Sequence, residues 1–249
     1  MGTSTERISR PYGIDAEEAS LLLALRHGEI ELKGQFLPGS NYTFFVHVRH
    51  GEKTRLAVYK PTRGERPLWD FPAHTLARRE VAAYLVNRAL GWHLVPPTVL
   101  REDAPYGPGA LQAFIEHDPE YHYFTFSPAD RARLRPVALF DLLVNNADRK
   151  GSHILIEQDT NRLYLIDHGL CFHVEDKLRT VIWDFAGEDI PPELLPPLEH
   201  LRNALSDPGG LRAELEPYLG PDEIAALLAR AEALLRRPIF PHPPEDRRA

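Results

Sequence analysis

Cysteine is nearly missing from this sequence: of 249 residues, Cys171 alone carries a thiol. That excludes an intramolecular disulfide framework and a zinc site built from several thiolates, and it fits a reducing compartment. Alone, the thiol reads as a small buried hydrophobe. Positive charge is short as well. Asp and Glu outnumber Lys and Arg by 36 to 29, for a formal net charge of -7, so no global positive field draws the chain onto nucleic acid or an anionic membrane. No apolar stretch approaches the roughly 20 residues that span a bilayer, and the opening MGTSTERISRPYG lacks the apolar core of a secretory signal. The expectation is a cytoplasmic protein with neither nucleic acid nor membrane as partner. What is present is ordinary for a globular chain, with 43% hydrophobic and 26% charged residues, and the length allows one large domain or two lobes around a cleft.

Asp15 followed by AEEASLLLALRHG reads as an N-cap, an acidic first turn, an apolar stretch, a basic last turn and a Gly28 stop. The runs IELKGQF, YTFFVHVRH and RLAVYKP then have the length and the β-branched or aromatic content of strands with tight connections, predicting an antiparallel sheet from Glu29 to Lys60. Apolar residues at 76, 77, 81, 85, 86, 89 and 90, closed by Gly91, predict a helix. HLVPPTVL and GALQAFIE read as two more short strands around the Pro/Gly-rich REDAPYGPG.

From Ser127 the pattern turns helical. Ser127 caps with Pro128 at the first helical position, and Pro136 starts a second apolar helix through Val144. Two short β-like runs, SHILIE and LYLID, flank the turn QDTNR, and PDEIAALLARAEALLRR is an amphipathic helix. The predicted fold class is α+β, in two lobes. Residues 1–28 form an extension with a helix, 29–116 a small nucleotide-binding lobe of antiparallel strands, 117–240 a larger helical catalytic lobe, and 241–249 a tail.

Chemistry-bearing residues fall in a fixed order: the turn Pro38-Gly39-Ser40-Asn41, then Ala57-Val58-Tyr59-Lys60, then Glu80 on a helix, then two aspartate motifs. Phosphoryl transfer needs such a kit, because its transition state spreads negative charge over phosphate oxygens and catalysis is mainly positioning and electrostatic stabilisation. Strand alternation puts Val58 and Lys60 on one face, where the ammonium reaches phosphates beneath the Ser40-Asn41 turn. Glu80 can pair with Lys60 and fix its stem, with Arg78 and Arg79 as competing partners. In NNADRKGSH, between an apolar helix and a strand, Asp148 accepts or orients the proton of an acceptor hydroxyl, and Lys150 or Arg149 balances charge on the transferred group. In LYLIDHG an apolar strand ends on Asp167, placed to hold a divalent metal bridging two phosphates, with Gly169 turning the chain sharply away. His153 falls five positions after Asp148, the spacing of the second metal ligand in a kinase catalytic loop, and reads either as a ligand tilting preference toward Mn2+ or as a brace for its own loop. The other histidines form no metal spacing, and no serine has a nucleophile-elbow context.

These residues resemble the atypical branch of the protein-kinase-like fold that holds phosphatidylinositol 3- and 4-kinases and HipA-type bacterial kinases. The resemblance rests on GSNYTFFV, AVYKP, the Glu80 helix, NNADRKGSHIL and LYLIDHGLCF. It implies Asp148 as the catalytic-loop aspartate, Asp167 as the metal aspartate, Lys60 as the nucleotide lysine, and Gln112 to Ile115, with Phe114 among them, as the hinge that meets adenine. The implied cofactors are ATP and Mg2+ or Mn2+, and the implied reaction is phosphotransfer to a protein side chain or a small-molecule hydroxyl. Three departures stand out: few glycines in the phosphate loop, Asp-Arg-Lys where lipid kinases have Asp-Arg-His, and His153 in place of asparagine. They leave a catalytically silent nucleotide-binding scaffold and an AMP-transferring enzyme as alternatives. The segment after Gly169 has only Lys177 and Arg179 as basic residues, too few for a phosphoinositide headgroup.

Overall fold

The computed structural model describes residues 14–35 and 42–244. The predicted Ser40-Asn41 turn therefore lies outside the described residues. Helix α1 (Ala16–His27) starts where Asp15 Oδ1 accepts the Glu18 amide at 2.8 Å, which satisfies one of the orphan donors of the first turn. The chain turns extended at Gly28, φ -69° and ψ 153°, and only glycine fits there: a Cβ would meet Ala24 O at 2.6 Å and Val48 Cγ1 at 2.6 Å.

The strands β1 (Glu29–Gln35), β2 (Phe44–His50), β3 (Lys53–Pro61), β4 (Thr98–Arg101) and β5 (Gly109–Ala113) form one antiparallel sheet in the order β1-β2-β3-β5-β4. Alternation along β3 buries Ala57 and Tyr59 in the core and turns Val58 and Lys60 to the other face, as the pleat requires. Between β3 and β4 the chain makes α2 (Leu76–Leu90), closed by Gly91 in the left-handed conformation at φ 66°. One side of α2 packs on β4 and β5, and the other on helices of the second lobe. It is therefore buried almost all round, and Arg79, Glu80 and Asn87 lie inside with the apolar residues.

The second lobe is built from α3 (Pro128–Ala132), α4 (Arg135–Val144), the hairpin β6 (Ile154–Ile156) and β7 (Leu163–Leu165), then α5 (Leu195–Ser206), α6 (Leu211–Leu215) and α7 (Pro221–Arg236). Ser127 Oγ accepts the Asp130 amide at 3.1 Å, as the capping pattern predicts. Helices α5 and α6 were not singled out by the sequence pattern. One apolar cluster runs through both lobes, from Leu22 and Val46 under the sheet to Leu198, Leu227 and Phe240 among the helices. Among the described residues no helix is long and apolar enough to cross a membrane.

Candidate active site

The cleft between sheet and helical lobe, about 310 Å³, is lined by Lys60, Glu80, Asp148, Lys150, His153 and Asp167, together with Tyr42, Thr43 and Glu65. Six of the residues read as functional thus converge on one space. Lys60 Nζ donates to Glu80 Oε1 at 2.7 Å and also pairs with Asp167 Oδ1. The other Glu80 oxygen accepts the His168 backbone amide at 3.0 Å. Glu80 therefore joins the strand lysine to the loop that carries Asp167. The competing partner is elsewhere: Arg79 donates to the Cys171 carbonyl at 2.6 Å and pairs with Glu223 of α7.

Burial alone would pull the Lys60 pKa down, but the Asp167 and Glu80 carboxylates outweigh it and hold the ammonium above the ordinary lysine value. Burial would raise Asp167, yet Lys60 and His153 hold its carboxyl well below the usual carboxylate range. Both groups are charged at neutral pH. Asp167 sits in the left-handed region at φ 60°, which Asp tolerates better than most side chains. The sharp turn predicted for Gly169 is thus made by Asp167 itself. Gly169 instead lies close against α2, where a Cβ would stand 3.3 Å from Leu76 Cβ.

Asp148 pairs with Lys150 at 2.9 Å, and with side chains 42% and 57% exposed both can rearrange around an incoming group. His153 Nδ1 accepts the Lys150 backbone amide at 3.4 Å, which leaves the proton on Nε2, 3.1 Å from Asp167 Oδ2. Burial pulls its pKa down to about 4, so the ring is neutral at pH 7. Both nitrogens are engaged, and neither is free for a metal in this arrangement. Among the described residues no cluster of three or more His, Cys, Asp or Glu could hold a metal by itself. A magnesium-like ion needs only one or two protein carboxylates beside substrate phosphates. Asp167, 43% exposed and ionised, is the group that fits.

Arg149 does not face the cleft as the charge-balancing reading required. It is 2% exposed and grips Asp141 of α4 through Nε and Nη2 at 3.0–3.1 Å, the Ile166 carbonyl at 2.9 Å and His168 Nε2 at 2.9 Å. The same Asp141 accepts from Asn146 Nδ2 at 3.2 Å and Thr180 Oγ1 at 3.0 Å, while Asn146 Oδ1 accepts the Asp148 amide at 2.9 Å. A buried, multiply satisfied carboxylate thus fixes both aspartate loops. The available sequence signal was Asp141 itself, a carboxylate inside the apolar helix PVALFDLLV, which needs a buried partner.

The adenine-side expectations land differently. Gln112 shares the face of Val58, its partner across the sheet, but is 3% exposed and donates to Thr98 Oγ1 at 2.8 Å, so its amide is committed within the sheet. Phe114 stands edge-on to Phe45, ring centroids 4.5 Å apart. Neither lines the cleft with Lys60 and Asp167.

A family model described as phosphatidylinositol 3- and 4-kinase matches residues 76–218, from the first residue of α2 to just beyond α6. The chain belongs to that family. Protein Rv2133c of Mycobacterium tuberculosis is 41% identical to it over 88% of this chain and 90% of that protein. Phosphatidylinositol 4-kinase gamma 4 of Oryza sativa subsp. japonica is 30% identical over 62% of this chain, which spans about a third (34%) of that longer protein. In architecture the chain is similar to the Golgi casein kinase with Mn/ADP bound, at 18% identity, TM-score 0.59, and coverage of 90% of this chain and 76% of that one. It is also similar to the proinflammatory kinase CtkA of Helicobacter pylori, at 12% identity and TM-score 0.51 over 87% and 94% of the two chains. The family match begins after Lys60, while these folds cover the sheet as well. The chain therefore has the atypical kinase fold, and the HipA-type part of the resemblance stays an expectation.

Proposed function

We propose that this protein is an ATP- and metal-dependent phosphotransferase acting on a protein side chain or a small-molecule hydroxyl. The observation that carries the reading is Lys60 held between Glu80 and Asp167 in a cleft that also contains Asp148. In this reading the Lys60 ammonium neutralises the non-transferred phosphates, with Glu80 keeping its stem in place. Asp167 binds the divalent ion, which when bound neutralises charge building on the phosphate oxygens. Asp148 leaves its ion pair with Lys150 and accepts the proton of the acceptor hydroxyl, and Lys150 is then free to face the transferred phosphoryl group. His153 keeps Asp167 aimed through its Nε2 contact with Oδ2. The presence of Mn and ADP in the Golgi casein kinase supports the same cofactor classes here.

A lipid headgroup is disfavoured as acceptor. Of the two basic residues in the segment LCFHVEDKLRTVIWDF that follows Gly169, Lys177 lies against Asp70, Glu175 and the Trp69 ring, which leaves Arg179 as that segment's basic residue for a polyanionic headgroup. The deciding experiment is incubation with Mg2+ or Mn2+ and ATP labelled separately at the α- and γ-phosphate. The γ label on the protein or on an added acceptor is expected. Movement of the α label would make it an AMP transferase, and movement of neither a silent module.

A further inference from the structure

His168, the residue after Asp167, is completely buried, and the chemistry proposed for the cleft gives its ring no task. Its backbone amide donates to Glu80 Oε2 at 3.0 Å. On one edge of the ring, Nε2 stands 2.9 Å from Arg149 Nη2. A guanidinium can only donate, so Nε2 accepts and the ring carries its proton on Nδ1. That Nδ1 is buried with no hydrogen-bond partner, an uncommon and destabilising condition for a donor. It stands 3.9 Å from Glu80 Oε2, about an ångström beyond hydrogen-bond length. The ring plane is fixed by Phe140 of α4, which meets it edge-on with centroids 5.7 Å apart.

Two networks come together at this ring. On one side, the same Arg149 Nη2 donates to Asp141 Oδ1 at 3.0 Å inside the helical lobe. On the other, Glu80 Oε1 holds Lys60 Nζ at 2.7 Å, and Lys60 is shared between Glu80 and Asp167. Once Asp167 turns to a metal ion, Glu80 is left to aim the ammonium. Hydrogen bonds that are long in an unliganded site commonly tighten when the ligand is bound, and the unmade bond here points at the carboxylate whose load then rises.

We propose that His168 is a positioning residue acting through Glu80: on nucleotide binding its Nδ1–H closes onto Glu80 Oε2 and fixes the carboxylate that aims Lys60 at the phosphates. The inference rests on the phosphotransferase reading, which gives Lys60 a nucleotide to hold.

The test separates the two ring nitrogens. In His168→Asn the side-chain amide N–H takes the place of Nδ1–H and the contact to Arg149 is lost. In His168→Gln the longer side chain offers its carbonyl to Arg149 in place of Nε2, and the donor facing Glu80 is lost. Both full-length variants are titrated calorimetrically with Mg-ADP and unfolded in urea without ligand. His168→Asn is expected to lower the urea midpoint yet bind within about threefold of the parent, because the donor to the charged group is kept. His168→Gln is expected to keep the midpoint and bind about tenfold or more weakly, as loss of a hydrogen bond to a charged partner does. A ring with a purely structural role gives affinities that follow stability, with Gln ahead of Asn, and that order overturns the proposal, as do equal affinities. Should the variants fail to fold, NMR of the parent labelled with 15N at histidine decides. The Nδ1–H tautomer is expected at His168, with its proton moving downfield on addition of Mg-ADP; the Nε2–H tautomer or an unmoved proton overturns the proposal. Failure of the parent itself to bind Mg-ADP would instead overturn the phosphotransferase reading and this proposal with it.

Discussion

Two ionic clusters, one across the cleft and one inside the helical lobe, use the same chemistry to opposite ends. In the cleft, Lys60 pairs with Glu80 and Asp167, and Asp167 remains 43% exposed. Beneath it, Arg149 and Asp141 are both fully buried, and the carboxylate collects Arg149, Asn146 and Thr180 together. The first cluster can exchange partners, because Asp167 and Lys60 open onto the cleft. The second cannot, because each donor it lost would remain buried and unpaired. Charge for chemistry and charge for architecture are thus separated here by exposure rather than by residue type.

The comparison breaks first at Asp141. Asp141→Ala strands Arg149 and is expected to destabilise the fold by about 3–5 kcal/mol, read as a fall in the urea midpoint, with nucleotide binding lost along with the fold. If stability is retained, the buried cluster is not a scaffold. Next comes Asp167→Asn, expected to lower metal-dependent turnover roughly 10²–10³-fold with little change in Tm, and Lys60→Ala should behave likewise. Parent-like nucleotide titrations for both would remove the site assignment. A smaller effect is expected for His153→Asn. As a brace its loss weakens activity about tenfold without altering the Mg2+ to Mn2+ ratio, whereas retained activity with a shift toward Mg2+ would mark the imidazole as a ligand. Smallest of all, Thr180→Val takes one of several donors from Asp141 and should cost about 1 kcal/mol in chemical denaturation, leaving turnover unchanged. A larger loss would mean the carboxylate depends on each donor separately.

What could be read from residue order was considerable. The sheet, α2 and α7 follow from periodicity, and Lys60, Glu80, Asp148 and Asp167 converge as their order implied. Direction was harder to read than position. Arg149 and Lys150 are neighbours with equal charge, yet one turns into the lobe and the other into the cleft, and only the partner on α4, eight residues upstream, decides between them. Glycine misled similarly: Gly169 suggested conformational freedom, whereas the positive φ belongs to Asp167 and the glycine lies close against α2. The α5 helix was missed because it opens with Pro196 and Pro197, residues that read as breakers unless they fall in a first turn.

Helix α2 carries one more consequence. Its adjacent residues Arg79 and Glu80 are tied to α7, to the Cys171 carbonyl and to the His168 amide, so the helix is anchored to the far lobe even though it lies within the order of the sheet strands. The Lys60–Glu80 pair is therefore a tie between lobes as well as within the cleft: it holds β3 to a helix whose next contacts belong to the Asp167 loop and to α7.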